Sequence, residues 1–219
     1  MSGEARQTPR ILKSNNPRGH VNHTVPDFLS GGYLMHDRLP AEKAYRILEA
    51  GPVILVSTRG TDGRTNLMTA GFHMMMQHAP PLVGVIIGPW DYSYQALSDT
   101  GECVLAVPPA GMAKAVVDIG NCSGETDDKF ARFGLTPVAA QSVRAPLVDK
   151  CLANLECRVV DDSQVRRYNL WVLEVRRIWL DSSWQELRLL HHQGDGRFSV
   201  DGETLDLSDR MVKWRDLMD

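Results

Sequence analysis

Alternation of apolar and polar positions dominates the middle of this chain. Val53-Ile-Leu-Val-Ser-Thr58 and Asn66-Leu-Met-Thr-Ala-Gly-Phe-His73 flank Thr61-Asp-Gly-Arg64, a turn sequence that predicts an antiparallel hairpin. Leu82-Val-Gly-Val-Ile-Ile87 is a short continuous apolar run, as in a buried strand, and Pro80-Pro81 stop pairing just before it. Cys103-Val-Leu-Ala-Val107 reads as a further strand. From Cys151 to Val159 the period of two is clean: Cys151, Ala153, Leu155, Cys157 and Val159 point one way and Asn154, Glu156 and Arg158 the other. That predicts a half-exposed strand. Leu170 to Leu180 carries Trp171, Leu173 and Val175 on one side, and its alternation slips at Arg176-Arg177, which predicts a bulge.

Helical spacing is confined to short stretches. Pro40 to Gly51 predicts a helix with Ala44, Ile47 and Leu48 on one face, and Ser93 is placed to cap a helix from Tyr94 to Asp99. Met112 to Ile119 and Asp127 to Phe133 predict two more, closed by Gly120 and Gly134, and Ser208 opens a tail helix with Met211, Trp214 and Leu217 on one face. Residues 1–39 are polar, broken by Pro9, Pro17 and Pro26, and lack a sustained period. They are expected to form an arm that docks, through Phe28, Leu29 and Tyr33, on a partner subunit, ahead of a domain over 40–219. Six or more strands at irregular spacing with inserted helices give a mainly β fold, an antiparallel barrel with helical decorations. A doubly wound sheet fits worse, and neither G-x-G-x-x-G nor G-x-x-x-x-G-K-[ST] occurs.

Composition narrows the function classes. The formal net charge of -3 over 219 residues gives no basic field for nucleic acid or anionic lipid, so small-molecule or protein partners are expected. No apolar run approaches the roughly 20 residues of a membrane-spanning helix, and the start has no secretory signal pattern. Cys103, Cys122, Cys151 and Cys157 form no C-x-x-C pair and fall largely in apolar strand patterns. That fits reduced thiols in a cytoplasmic protein. His73 with His78 and His191 with His192 lack ligand geometry, so no metal site is expected.

The candidate chemistry lies after the first hairpin turn. A hydroxyl at Thr69 followed by small Ala70 and Gly71 lets backbone N–H groups approach a flat ligand with polar edges. Gly71 reads equally as a strand glycine at a bulge. Ser93, at a helix start, offers a hydroxyl and the positive end of a helix dipole to an anion, and also reads as an ordinary cap. Met74-Met-Met76 reads as core filler or as the wall of a flat ligand site.

A set of segments in register carries a resemblance. Gly51 to Thr58, Asn66 to His73 with Pro80-Pro-Leu-Val-Gly84, Ser93-Tyr94 ahead of Thr100 to Pro108, Gly120-Asn-Cys-Ser-Gly124 with Asp128-Lys-Phe130, Ala145-Pro-Leu147 and Leu155-Glu-Cys157 resemble the flavin reductase-like, flavoredoxin-type FMN-binding proteins, over residues 45 to 200. The resemblance implies a split β-barrel, a homodimer and one noncovalent FMN per subunit near the interface. It also implies flavin contacts at Asn66, Thr69, Ala70, Gly71, Phe72, Ser93, Asn121, Cys122, Ser123 and Lys129. Ser93 and Thr69 are expected at the phosphate, Ala70 to Phe72 beside the isoalloxazine, and Asn121 to Ser123 at the ring edge or ribityl chain. Lys129 would balance the flavin's negative charge or stand as a solvated helix lysine; Cys122 is a reactive thiol or an inert loop cysteine. Relatives often carry Ser at Gly71 and Asn at Ala106, which opens the question of a loosely held flavin.

The implied activity is NAD(P)H-dependent flavin reduction, with hydride passing from nicotinamide to FMN without an obligatory side-chain acid or base. Reduced flavin then goes to a partner oxygenase or another electron acceptor. The alternatives are a flavoredoxin-like FMN electron carrier and a flavin-free barrel used as a binding module.

Overall fold

Period-two alternation puts Val53 and Leu55 on one side of the first strand and Ile54 and Val56 on the other, and all four are buried. The strand therefore sits between two cores. In the computed structural model, which describes residues 51–181, 188–207 and 210, it runs Ile54–Arg59 (β1). The arm over 1–39, the helix over 40–50 and the helix from Ser208 lie outside the described residues.

Across the predicted turn, β1 pairs antiparallel with β2 (Thr65–Ala70), with Thr58 opposite Asn66 and Leu55 opposite Thr69. Gly63 takes φ 86° there, a conformation that glycine adopts without penalty. The strands β3 (His73–Gln77), β4 (Leu82–Ile86), β5 (Glu102–Val107), β8 (Ala153–Asp161) and β9 (Leu170–Leu180) complete a seven-stranded antiparallel sheet in the order β2-β1-β5-β8-β9-β4-β3. It curls into a half-barrel. Two small hairpins, β6 (Pro137–Val138) with β7 (Leu147–Val148) and β10 (Leu190–His192) with β11 (Phe198–Val200), form separate two-stranded sheets. The helices are α1 (Ser93–Thr100), α2 (Ala113–Gly120), α3 (Lys129–Arg132) and α4 (Val165–Tyr168).

One core fills the barrel with Ile54, Val56, Val85, Leu105, Trp171 and Leu173. Trp171 closes it by donating its indole N–H to the Ile87 carbonyl at 2.9 Å. A second core, with Leu55, Leu67, Val116, Ile119 and Phe130, holds α2 and α3 against the other face of β1 and β2. These helices form one wall of the groove described below.

Three expectations need correction. The apolar run from Asn66 to His73 is not one strand: β2 stops at Ala70 and β3 begins at His73, at opposite edges of the sheet. Gly71 and Phe72 cross the seam, and the Phe72 carbonyl accepts the Ile86 N–H at 3.0 Å. Met74, Met75 and Met76 are exposed on the edge strand β3 and are not core filler. Asn154 and Glu156, expected on a solvated face of β8, are buried: Gln141 and Ser142 bond Glu156, and Val148 bonds Asn154. The bulge expected at Arg176-Arg177 is present: Glu156 pairs with Arg177 and Cys157 with Val175, leaving Arg176 extra.

Candidate functional site

The second edge of β2 has no strand partner among the described residues. Alongside it runs α2, tied to the strand where Thr69 Oγ1 donates to the Val116 carbonyl at 2.6 Å. Between them and the loop ahead of α1 lies a groove in two lobes that share Met68, Thr69, Trp90 and Asp91. One lobe, about 300 Å³, is bounded by Asn66, Gly120, Asn121, Cys122, Ser123 and Lys129. The other, about 410 Å³, is bounded by Ala70, Gly71, Phe72, Ile86, Asn169 and His192. Each has the size of a small-molecule subsite.

Lys129 dominates the first lobe. It is the first residue of α3, after Asp128 caps the helix by accepting the Ala131 N–H at 3.1 Å, and it is only 4% exposed. Its Nζ donates to the Ile119 carbonyl at 2.9 Å and makes no ion pair among the described residues. Burial pulls its pKa below the ordinary lysine value, opposed by Cys122, Asp127 and Asp91. A buried ammonium with two further N–H donors beside a cavity is a site for an anion.

Asn66 supplies the second polar feature. It is buried on β2, its Nδ2 donates to Ser93 Oγ at 2.9 Å, and its Oδ1 has no hydrogen-bond partner among the described residues. A buried acceptor without a donor is costly, so Oδ1 is a weak point in the packing beside the lobe. Gly124 packs so closely here that an added Cβ would lie 2.1 Å from Oδ1, so the loop 121–124 holds Asn66 in place.

Ser93 departs from its expected place. The helix begins one residue earlier than predicted, with Tyr92 at the N-cap and Ser93 already helical. Its side chain is 0% exposed, accepts from Asn66 and also from Thr58 Oγ1 at 3.3 Å, and so braces Asn66 from behind instead of facing the groove.

The structure brings Asn66, Thr69, Asn121, Cys122, Ser123 and Lys129 to one lobe and Ala70, Gly71 and Phe72 to the other, with Thr69 common to both. Cys122 Sγ lies 3.7 Å from the Ile119 carbonyl that Lys129 also uses, which puts thiol and ammonium side by side. Sequence reasoning missed Met68, Ile86, Trp90, Asp91, Asn169 and His192 as groove residues. Trp90 had a usable signal, a large aromatic just after Gly88-Pro89. Its indole rests on bare Gly88 backbone, where an added Cβ would sit 2.3 Å away, and it is 74% exposed at the lip of both lobes. Asn169 and His192 had none, because α4 and β10 reach the groove only through the folded topology.

A larger hollow of about 510 Å³ lies between the first hairpin and α1. Its wall carries Asp62, Asp91 and Asp99 against one cation, Arg64, whose Nη2 donates to the Gly124 and Glu125 carbonyls. That charge balance disfavours a phosphate, and the smaller groove has the better chemistry for an anionic ligand.

Comparison with known proteins converges on one group. The profile of the family described as "Flavin reductase like domain" matches residues 47–198. An uncharacterized protein of Archaeoglobus fulgidus is 35% identical over 115 residues, 52% of this chain and 65% of that protein's length. Among solved structures, an FMN-binding domain of a flavin reductases-like enzyme from Shewanella baltica superposes with a TM-score of 0.66 at 25% identity, covering 77% of this chain and 95% of that one. The flavoredoxin of Desulfovibrio vulgaris (Miyazaki F) superposes with a TM-score of 0.66 at 24% identity, covering 81% and 96%.

Proposed function

From the premise that this chain belongs to the flavin reductase-like domain family, we propose that it binds FMN in the two-lobed groove and acts as an NAD(P)H-dependent flavin reductase. The observation that carries the reading is the polarity of the groove. A buried, unpaired cation stands at one end, a buried amide oxygen without a donor lies along the wall, and small residues on an open strand edge stand at the other.

These features fit the chemistry of FMN part by part. Lys129 would hold the phosphate, a role the sequence reading gave to Ser93. Asn66, held from behind by Ser93 and Thr58, would shape the wall beside the ribityl chain. Ala70 and Gly71, having little or no side chain at the end of an edge strand, would present backbone groups to the ring. Asn121, Cys122 and Ser123 would close the lobe between these ends. When bound, FMN supplies the hydride chemistry; the chain positions it and limits water, and no side-chain acid or base is required.

The exposed apolar residues Phe72, Met74, Met75 and Met76, on and beside an edge strand, support a second copy of the chain as partner. Reduced flavin would pass from the open groove to a partner oxygenase or another acceptor in the cytoplasm. Anaerobic stopped-flow mixing of the FMN-loaded protein with NADH or NADPH tests the activity. Bleaching of bound FMN faster than that of free FMN is the expected result. Bound FMN that bleaches no faster contradicts the reductase reading and favours a flavoredoxin-like carrier.

A further inference from the structure

We propose that Asp91 recognises the ribityl chain of the flavin, its carboxylate accepting hydrogen bonds from the chain's hydroxyls where the two lobes meet; this rests on the flavin reading above. The residues that border both lobes are Met68, Thr69, Trp90 and Asp91. A ligand with its phosphate at Lys129 and its ring beside Ala70 and Gly71 has to pass its polyol linker across that waist. Met68 offers no polar group there beyond a weakly accepting sulfur, the Thr69 hydroxyl donates its proton to the Val116 carbonyl at 2.6 Å, and the Trp90 indole can donate but not accept. Asp91 alone of the four brings a charged acceptor, and a hydroxyl bonded to a carboxylate makes a charge-assisted bond about twice as strong as a neutral one.

The carboxylate is fixed by a tight turn just ahead of α1. The Asp91 N–H donates to the Gly88 carbonyl at 2.9 Å, the Gly88 N–H donates back to Asp91 Oδ2 at 2.9 Å, and the Tyr94 N–H donates to the Asp91 carbonyl at 2.9 Å. One carboxylate oxygen is therefore spent on the turn, while Oδ1 has no hydrogen-bond partner among the described residues. Its charge is felt inside the groove: Asp91 favours the charged form of the Lys129 ammonium, yet the two form no ion pair. The first lobe is thus bounded by a cation and by a carboxylate with accepting capacity to spare. That combination suits a phosphorylated polyol, which presents an anion to the one and hydroxyl donors to the other.

The test is a titration of the full chain with riboflavin and with lumiflavin, which has the same ring system but a methyl group in place of the ribityl chain, following flavin fluorescence. Both ligands lack the phosphate, so the comparison does not depend on the charge of Lys129. The variants are Asp91→Ala and Asp91→Asn; the asparagine amide oxygen can still accept the Gly88 N–H and keep the turn, but a donor replaces the second oxygen. Asp91→Ala is expected to raise the riboflavin dissociation constant roughly tenfold and Asp91→Asn roughly threefold to tenfold, with lumiflavin binding unchanged in Asp91→Asn. Riboflavin affinity that is unchanged in both variants, or equal losses for riboflavin and lumiflavin in Asp91→Asn, overturn the assignment. Wild-type protein that binds neither riboflavin nor FMN instead overturns the flavin reading itself, a different result from failure at Asp91 alone.

Discussion

Lys129 and Ser93 sit differently from what their sequence contexts suggested. A lysine just after a helix cap looks solvated, yet folding buries it beside Ile119; a serine at a helix start looks ready for a phosphate, yet folding turns it inward to Asn66. The two therefore give opposite mutational signatures. Lys129→Met should weaken FMN by roughly tenfold to a hundredfold, the range of a hydrogen bond to a charged group, while changing riboflavin little. Equal losses for both ligands would remove Lys129 from the phosphate. Ser93→Ala should destabilise the fold by about 1 to 3 kcal/mol by leaving the buried Asn66 Nδ2 without its acceptor. Its effect on FMN and riboflavin should be equal, because the hydroxyl has no access to the groove. A selective loss of FMN would instead restore the phosphate role that the helix start suggested. Since burial lowers the Lys129 pKa and the charged form is the one that binds an anion, FMN affinity should begin to fall with rising pH earlier than an exposed lysine would allow. Riboflavin titrated over the same range should show no such fall.

Glu156 shows what strand pairing alone does not reveal. Placed on the polar side of β8 by alternation, it is fully buried and accepts from the Gln141 N–H at 3.0 Å, from Trp179 Nε1 at 2.7 Å, and from both the backbone and hydroxyl of Ser142. Burial alone would raise its pKa, but these donors outweigh it and hold the carboxyl down to about 2. The sign follows from a folded value below the unfolded one near 4.3: the stabilisation is complete above about pH 4.3 and is lost as pH falls towards 2. Glu156→Gln should lower the unfolding free energy by roughly 2 kcal/mol at neutral pH, and the gap to wild type should narrow in acid. Urea melts at several pH values between 2 and 7 read this directly, and a gap that stays constant with pH would contradict it.

Much of the architecture was legible from the same kind of pattern. The hairpin at Gly63 and the bulge at Arg176 announce themselves in local chemistry and in a slipped alternation. The break at Gly71-Phe72 did not, because apolar residues continue through it and only the closure of the sheet requires the chain to change edges there. The groove was half legible. Its β2 wall and the loop 121–123 carry motif residues close together in sequence. Trp90, Asn169 and His192 arrive from separate elements, and no periodicity links them.

Among the described residues, a curled half-barrel whose β2 edge has no strand partner faces a two-helix wall, and the space between has a cation at one end and small residues at the other. The second core helps that space persist: Leu67, Val116, Ile119 and Phe130 pin α2 and α3 to β1 and β2, together with the Thr69–Val116 bond at the groove wall. Fluorescence titration of the purified protein with FMN, repeated with the Lys129→Met variant, tests this most directly. Saturable quenching at micromolar protein that the variant weakens at least tenfold is the expected result; no saturable quenching in the wild-type protein would contradict the assignment of the groove to FMN.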